Sequence, residues 1–424
     1  MKLTKYPEYF NTGLDWLGHI PSNWQLKRLG TVFKERREKV SDTDYPALSV
    51  TKSGIVPQLE NAAKTDAGDN RKRVAVGDFV INSRSDRKGS SGLSALDGSV
   101  SLISIVLQPT GINGAYAHYL LRSQPFQEEF YRFGKGIVAD LWSTNYSEMK
   151  NISLPMPDDF EQTRIAAFLY RETGKIDRLI EKQQRLIELL EEKRQAVISH
   201  AVKLRSEDKS SRLSHYVSLT SGFAFPSSEF SHDASDVRLL RGVNIGVGDV
   251  RWSDVVYWPS GRLQEVIDFG LNPGDIVFGM DRPWISSGAR VAWVKQEDIP
   301  SLLVQRVARL RARNSLNQSY LYFILSSNEF KSYIEVDLTG VSVPHISPDQ
   351  IKNFKFRVMP EEQQQAVVSE LKLKLDKIDR TITKAKHCIG LLKERRTTLI
   401  SAAVTGKIDV RDQVPQDVEE AVAS

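Results

Sequence analysis

The strongest constraint on how this chain can fold is that it repeats itself. EEKRQAVISHAV at 191–202 returns as KERRTTLISAAV at 393–404, an offset of 202 residues. In that register Ile176-Asp177-Arg178 falls on Ile378-Asp379-Arg380, Leu189-Leu190 on Leu391-Leu392, Arg194 on Arg396 and Ile198-Ser199 on Ile400-Ser401. Of the 28 positions from Lys175 to Val202, 15 are identical to their mates, where chance gives about two. The period is domain-sized, so the repeat is a duplication and not a solenoid. The 424 residues therefore hold an even number of globular bodies.

Both copies have the pattern of an amphipathic helix. In the first, Ile165, Leu169, Ile176, Leu179, Ile180, Leu186, Ile187, Leu190, Val197, Ile198 and Ala201 recur by threes and fours. Pro155 and Pro157 stand just before it, and Asp158 or Asp159 can cap its N-terminus. Gly174 costs about 1 kcal/mol against alanine and is where a kink or break would fall. The second copy starts after Pro360, with Glu361 and Glu362 favourable in its first turn, and ends at Gly406. Each helix spans about 45 residues, or roughly 65 Å, too long for a domain of this size to enclose. Charged runs such as Glu191-Glu192-Lys193-Arg194 are solvated faces, but the apolar stripe needs a partner. The other copy, packed antiparallel as a coiled coil, is the simplest one.

Between the helices the texture changes to Gly, Ser, Asp and short β-favouring runs such as VAVGDFVIN and NPGDIVFGM, with helical patterns near 114–131 and 317–334. The expected class is α+β, with an internal pseudo-two-fold repeat: a globular segment at 1–158, a helix at 159–205, a second globular segment at 206–359, a helix at 360–408 and a frayed acidic tail at 409–424. The globular segments share Gly77-Asp78-Phe79-Val80 with Gly274-Asp275-Ile276-Val277, Ser90-Ser91-Gly92 with Ser286-Ser287-Gly288, and Lys150-Asn151 with Lys352-Asn353. Elsewhere they diverge, as two domains of one fold serving different ligands would.

Catalytic signatures do not emerge. There is no Walker A loop and no Asp/Asn-Pro-Pro-aromatic motif of an adenine methyltransferase. The seven histidines are scattered, and adjacent His387 and Cys388 point to different helix faces. Pro157-Asp158 and Glu191-Glu192-Lys193 lie at opposite ends of one helix and cannot converge as a nuclease site. The single cysteine excludes an internal disulfide and suits a reducing compartment. No apolar leader or membrane-length run is present, so a cytoplasmic protein without membrane association is expected.

A net charge of +5 permits an anionic partner, and the cations cluster in loops. The first segment has Arg36, Arg37, Arg71, Lys72 and Arg73, then SRSDRKGSSG at 83–92 with Arg84, Arg87, Lys88, Ser90 and Ser91. The second has MDRPWISSGAR at 280–290 with Arg282, Trp284, Ser286, Ser287 and Arg290, joined by Arg241, Asn244 and Arg251. Arg and Lys suit phosphates or guanine edges, and Asn suits adenine. One such loop is an ordinary polar hairpin; two different basic loops after equivalent strands point to double-stranded DNA.

DWLGHIPSNW at 15–24, the run from Asp158 to Val202, TGVSVPHIS at 339–347 and LLKERRTTLISAAVTGKIDVRD at 391–412 resemble the DNA-specificity subunits of type I restriction-modification systems, over nearly the whole chain. The resemblance implies two target-recognition domains, 1–158 and 206–359, each reading one part of a gapped DNA site. It implies that the repeated helices serve as a ruler and dock two methyltransferase subunits, with restriction/translocase subunits joining them. S-adenosylmethionine, ATP and Mg would then belong to those partners, and this chain would be non-catalytic and bind no cofactor. One departure is that the Asp-Trp-Leu-Gly…Pro-Ser-Asn-Trp segment precedes only the first domain, while the second follows SEDKSSRLSHY. A coiled-coil scaffold without DNA specificity and a self-sufficient DNA-modifying enzyme are the alternatives. Salt-dependent DNA binding separates the first, and methylation by the chain alone the second.

Overall fold

The computed structural model describes residues 4–59, 70–136, 142–285, 288–335 and 345–413. Both repeats are helices of 44 residues, Asp159–Val202 and Glu361–Val404. Asp158 starts the first by accepting the Glu161 N–H at 2.8 Å, which satisfies one of the donors a helix N-terminus leaves open. Gly174 does not interrupt this helix, because its propensity deficit is small beside the burial of the neighbouring Thr173 and Ile176. The second helix ends at Val404, and the chain turns at Gly406. The Gly406 N–H meets the Ala403 carbonyl and the Lys407 N–H the Ala402 carbonyl, the pattern of a Schellman cap. With φ at +70° and a Cβ position only 2.3 Å from Pro21 Cδ, no larger residue fits there.

The chain divides into two compact units, Met1–Gln183 with His387–Ser424, and Gln184–Lys386. The division falls inside the long helices, so each unit owns part of both. In the first unit a four-stranded antiparallel sheet runs in the order Ser91–Leu93, Phe79–Asn82, Ser104–Pro109, Phe33–Glu35. A second sheet joins Gly98–Ser101, Arg71–Val74 and Lys39–Val40, and helices Gly114–Arg122 and Gln124–Arg132 cover the larger one. Its core contains Phe79, Tyr116, Leu120 and Phe126 together with Ile165, Phe168 and Leu169 from the start of the first long helix and Ile400, Ala403 and Val404 from the end of the second. The helix segments therefore run antiparallel there.

The second unit has a five-stranded sheet in the order Val217–Ser221, Val307–Ala312, Ile276–Gly279, Val291–Trp293, Gly248–Asp249, covered by helices Gln318–Leu325 and Asn328–Glu335. A smaller sheet of Tyr257–Trp258, Val237–Leu240 and Ser301–Leu303 contains a parallel pair. Here Ile198 and Val202 from the end of the first long helix share a core with Val368, Leu371 and Leu375 from the start of the second. The same ion pair bridges the helices in each unit: Arg396 to Asp177 at 3.0 Å in the first, Arg194 to Asp379 at 3.1 Å in the second. The four residues are mates under the 202-residue offset. The stripe read from the sequence is wider than the seam, however, and Leu179 and Leu186 are 47% and 38% exposed.

A buried glutamine fastens each domain to its long helix. Gln162 accepts the Asn113 N–H at 2.8 Å and donates to the Pro157 carbonyl at 2.9 Å. Gln364, its mate, accepts the Asn317 N–H at 2.8 Å and donates to the Met359 and Ser315 carbonyls. Asn113 and Asn317 are the N-caps of the first helix in each covering pair. The clamp ties the start of a long helix to the start of a domain helix through a buried glutamine side chain.

The N-terminal segment that precedes only the first domain has its own anchor. Tyr6 and Trp24 both donate to the buried Glu161 carboxylate, at 2.5 and 2.9 Å, and burial pushes the Tyr6 hydroxyl far above its ordinary pKa. The mate of Glu161 is Gln363, which is exposed. Gln162→Leu and Gln364→Leu should each destabilise its own unit by about 1–3 kcal/mol, the usual penalty for stranding a buried donor. Urea unfolding followed by tryptophan fluorescence would show it; unchanged midpoints in both variants would refute the clamp.

Candidate nucleic-acid interface

The two domains build the same turn before their central strands. Gly77 and Gly274 both have φ of +88°, a conformation that favours glycine. The next residues, Asp78 and Asp275, are each 3% exposed and accept a backbone N–H three residues upstream, from Ala75 and Asn272, at 2.8 Å. A buried carboxylate requires a partner. Arg36 supplies it in the first domain, with Nε 2.7 Å from Asp78. Arg311 supplies it in the second, with Nη2 2.8 Å from Asp275. These hydrogen bonds raise the pKa of both guanidinium groups.

From that turn the chain crosses the sheet and leaves by a loop. Phe79–Asn82 pairs with Ser91–Leu93, Ile81 opposite Ser91; Ile276–Gly279 pairs with Val291–Trp293, Phe278 opposite Val291. Each loop root is braced by the segment before the last short helix of its domain. The Thr144 N–H donates to the Ser83 carbonyl and the Ile346 N–H to the Met280 carbonyl, with bridges Arg84–Ser143 and Asp281–His345. The loops are thus equivalent in position. The structural mate of Ser91-Gly92-Leu93 is Val291-Ala292-Trp293, not Ser286-Ser287-Gly288 as the short identity suggests. Ser286 and Ser287 lie outside the described residues, as do 339–344 of TGVSVPHIS and 414–424 of the tail.

In the first domain the structure sorts the sequence candidates sharply. Arg36 is committed to Asp78. Arg71 is 6% exposed and donates to the Ser99 hydroxyl and carbonyl at 2.8 and 3.0 Å, and burial lowers its pKa. Ser90 and Ser91 are buried. Arg73 stacks on Tyr45 at 3.9 Å and pairs with Asp97 at 3.2 Å. Arg87 is exposed beside Asp86, and Lys88 pairs with Glu128 at 2.7 Å. Arg37, Lys72 and Arg84 converge on one open groove of about 690 Å³, which also includes Lys39, Asn145 and Tyr146. Among the described residues Glu35 is the one carboxylate there, 2.6 Å from Arg37 and 3.6 Å from Lys72. The groove keeps a positive excess with hydroxyl and amide groups between the cations. Lys39, Asn145 and Tyr146 carried no sequence signal, since Lys39 and the Asn145-Tyr146 pair lie more than a hundred residues from each other and apart from Lys72 and Arg84.

In the second domain Asn244 is 1% exposed and locked to the Arg251 and Asp254 carbonyls at 2.9 Å. Arg290 is half-buried, with its guanidinium on the carbonyls of Gly242, Ile245 and Asp281, and burial lowers its pKa. Both are structural. Trp284 is partly buried against Phe330. Arg241 opens on a groove of about 550 Å³ with Arg306 and Val243, though Asp254 holds it at 2.8 Å. Asp281, at the loop root, gathers Arg306 at 3.1 Å and His345 at 2.7 Å. Arg251 and Arg282 are exposed and have no carboxylate partner among the described residues. Arg282 also has a positive φ of 43°, a strained conformation for a non-glycine residue.

Among the described residues no helix is long and apolar enough to cross a membrane. No family model matches the chain. It is 32% identical over 199 residues to the specificity subunit of the type I restriction enzyme EcoAI from Escherichia coli, a match spanning 47% of this chain and 33% of that subunit. It is 25% identical over 424 aligned residues to the MjaVIII specificity subunit of Methanocaldococcus jannaschii, covering 93% of this chain and 95% of the relative. Its fold matches a chain reported under the description "Structural basis underlying complex assembly and conformational transition of the type I R-M system", with a TM-score of 0.70 and 17% identity over 91% of this chain and 98% of the other. It also matches the HsdS subunit of Thermoanaerobacter tengcongensis, with a TM-score of 0.52 and 19% identity over the same shares. In sequence and in fold the chain is similar to the specificity subunits of type I restriction enzymes.

Proposed function

We propose that this chain is the sequence-reading subunit of a type I restriction-modification complex, in which each domain reads one half of a two-part DNA site. The observation that carries the reading is the pair of braced loops. They leave the same end of equivalent strands in the same register, yet present different cations. A fold retained at the root and varied at the tip is what two different base sequences require. Exposed Arg84 and the groove cations Arg37 and Lys72 suit backbone phosphates and guanine edges in the first half-site; Arg251 and Arg282 suit them in the second.

The long helices dock modification subunits in this proposal. Leu179 and Leu391 in the first unit, and Leu186, Leu189 and Leu373 in the second, are 38–67% exposed on helices that already have a partner along their seam. Uncovered leucines on a charged helix favour a protein partner over water. The methyl donor S-adenosylmethionine would be held by that partner, and ATP with Mg by restriction subunits. Labelled methyl transfer from S-adenosylmethionine to DNA should accordingly require an added modification subunit; transfer by the purified chain alone would sink this assignment.

Specificity should be modular. Exchanging residues 24–157 for the matching domain of a relative should alter one half of the methylated site and keep the other, as methylation mapping would reveal; two altered halves would contradict the reading.

The exposed and buried cations should also behave differently. Arg84→Ala and Arg282→Ala should each reduce the salt slope of DNA binding by about one if the residue meets a phosphate, or cost roughly 1–3 kcal/mol at one base pair if it meets a base. Arg71→Ala and Asn244→Ala should instead lower the unfolding midpoint. Anisotropy titrations across a salt series, with thermal melts of the same variants, separate the two groups. Parental DNA binding by both exposed variants would remove the loops from the interface.

A further inference from the structure

The first unit holds a second cationic recess, apart from the groove described above. A cavity of about 430 Å³ lies beside helices Gly114–Arg122 and Gln124–Arg132, the turn at Lys52, and the last turns of the second long helix. Four cations line it, Lys52, Lys88, Arg122 and Arg396. Two are balanced, Lys88 by Glu128 at 2.7 Å and Arg396 by Asp177 at 3.0 Å. Arg122 is not. Its Nη2 donates to the Lys52 carbonyl at 2.6 Å, its Nη1 lies 3.0 Å from His118 Nε2, and no carboxylate among the described residues reaches it. Burial and the nearby Arg396 charge push its pKa down. Burial, Arg122 and Arg396 likewise push His118 down to about 4. Cations are crowded here at an energetic cost that an anion would remove.

The duplication provides an internal control. Ser123 and Ser327 cap the second covering helix of each pair in the same way, with hydroxyls donating to Leu120 and Ile324 and accepting from Phe126 and Phe330. Asn113 and Asn317 set the same 204-residue offset, so His118 corresponds to Tyr322 and Arg122 to Ser326. In the second unit Tyr322 stacks on Trp293 with ring centres 5.4 Å apart, and the Ser326 carbonyl accepts Gln195 Nε2 at 2.6 Å. The fold therefore does not require a cation at this position, and the second copy has an aromatic pair and a neutral residue where the first has Arg122 beside His118.

We propose that this recess binds a phosphate group, with Arg122 and Lys52 as the anion-contacting residues. Arg122 offers a planar fork from the end of one helix, Lys52 a mobile point charge from the turn and Gln124 a neutral amide from the start of the next helix. That spread of donors suits a tetrahedral oxyanion better than a planar carboxylate. Lys88 and Gly89 of the 83–92 loop form one wall. The phosphate is therefore either one of the DNA backbone next to that loop or one carried by a free ligand. The backbone source rests on the DNA reading above; the free source does not.

The test uses the full chain, inorganic phosphate and a duplex containing the mapped site. Phosphate should raise the melting temperature relative to chloride at equal ionic strength, with Arg122→Gln and Lys52→Ala losing the shift and Lys374→Ala, on an exposed helix face beside Glu370, keeping it. If the site takes a backbone phosphate, Arg122→Gln and Lys52→Ala should each lower the salt slope of duplex binding by about one. Loss of the phosphate shift with an unchanged slope identifies the free ligand, and a reduced slope alone identifies the DNA. Lys52 lies on an exposed turn, so its variant keeps the test decisive if Arg122→Gln folds poorly. Retention of both parental responses by Lys52→Ala and by folded Arg122→Gln overturns the proposal, as does stabilisation by polyglutamate but not by phosphate.

Discussion

The organisation of each unit depends on a hydrogen-bonded glutamine that water does not reach. An amide has a donor end and an acceptor end. Gln162 and Gln364 use both, accepting from the open N–H at the start of a domain helix and donating a hydrogen bond to the carbonyl before a long helix. Either bond alone would leave the domain free to swing about it. Together, and backed by the apolar cores that receive both long helices, they fix how a sheet sits over its helix. The position of the loop at the end of that sheet follows.

The same logic explains what the two domains share and what they do not. A glycine with positive φ and a buried aspartate recur at 77–78 and 274–275, because the turn that starts the central strand admits few alternatives. The arginine that neutralises the aspartate is less constrained. It follows the edge strand Phe33–Glu35 in one domain and lies within Val307–Ala312 in the other. Charge balance at a buried site can be met from any neighbouring backbone within reach. Residue identity can therefore wander while the physical requirement stays put.

Much of the fold was legible in the sequence, because it rests on local or periodic features: the 202-residue repeat, the helical stripe, the Gly-Asp turns. The helix boundaries followed from capping chemistry, and Gly174 misled because local propensity yields to tertiary packing. The candidate site was legible only in part. Sequence shows that Arg71, Asn244 and Arg290 are polar, but not that Ser99, Asp254 and Gly242, 28, 10 and 48 residues away, will enclose them. Arg36 followed the same course toward Asp78. The groove cations Lys39 and Lys72 and the amide of Asn145 meet only after three segments fold together, and no linear motif records such a meeting. The Ser-Ser-Gly identity failed for the opposite reason: three matching letters carried no structural constraint.

The unequal loops differ in length at almost no cost to the fold. Nine residues separate the paired Ile81 and Ser91, and twelve separate Phe278 and Val291, yet the strand register is the same on both sides. Closing a loop of twelve residues rather than nine costs roughly 0.3 kcal/mol in chain entropy. That is small beside the several kcal/mol stored in the clamp and core below it. Insertions and deletions at the tip are therefore nearly neutral for stability. If the loops read DNA as proposed, the lineage can search loop lengths as well as loop compositions without passing through unfolded ancestors, and chemical fit to the target, not foldability, would limit how fast its vocabulary grows.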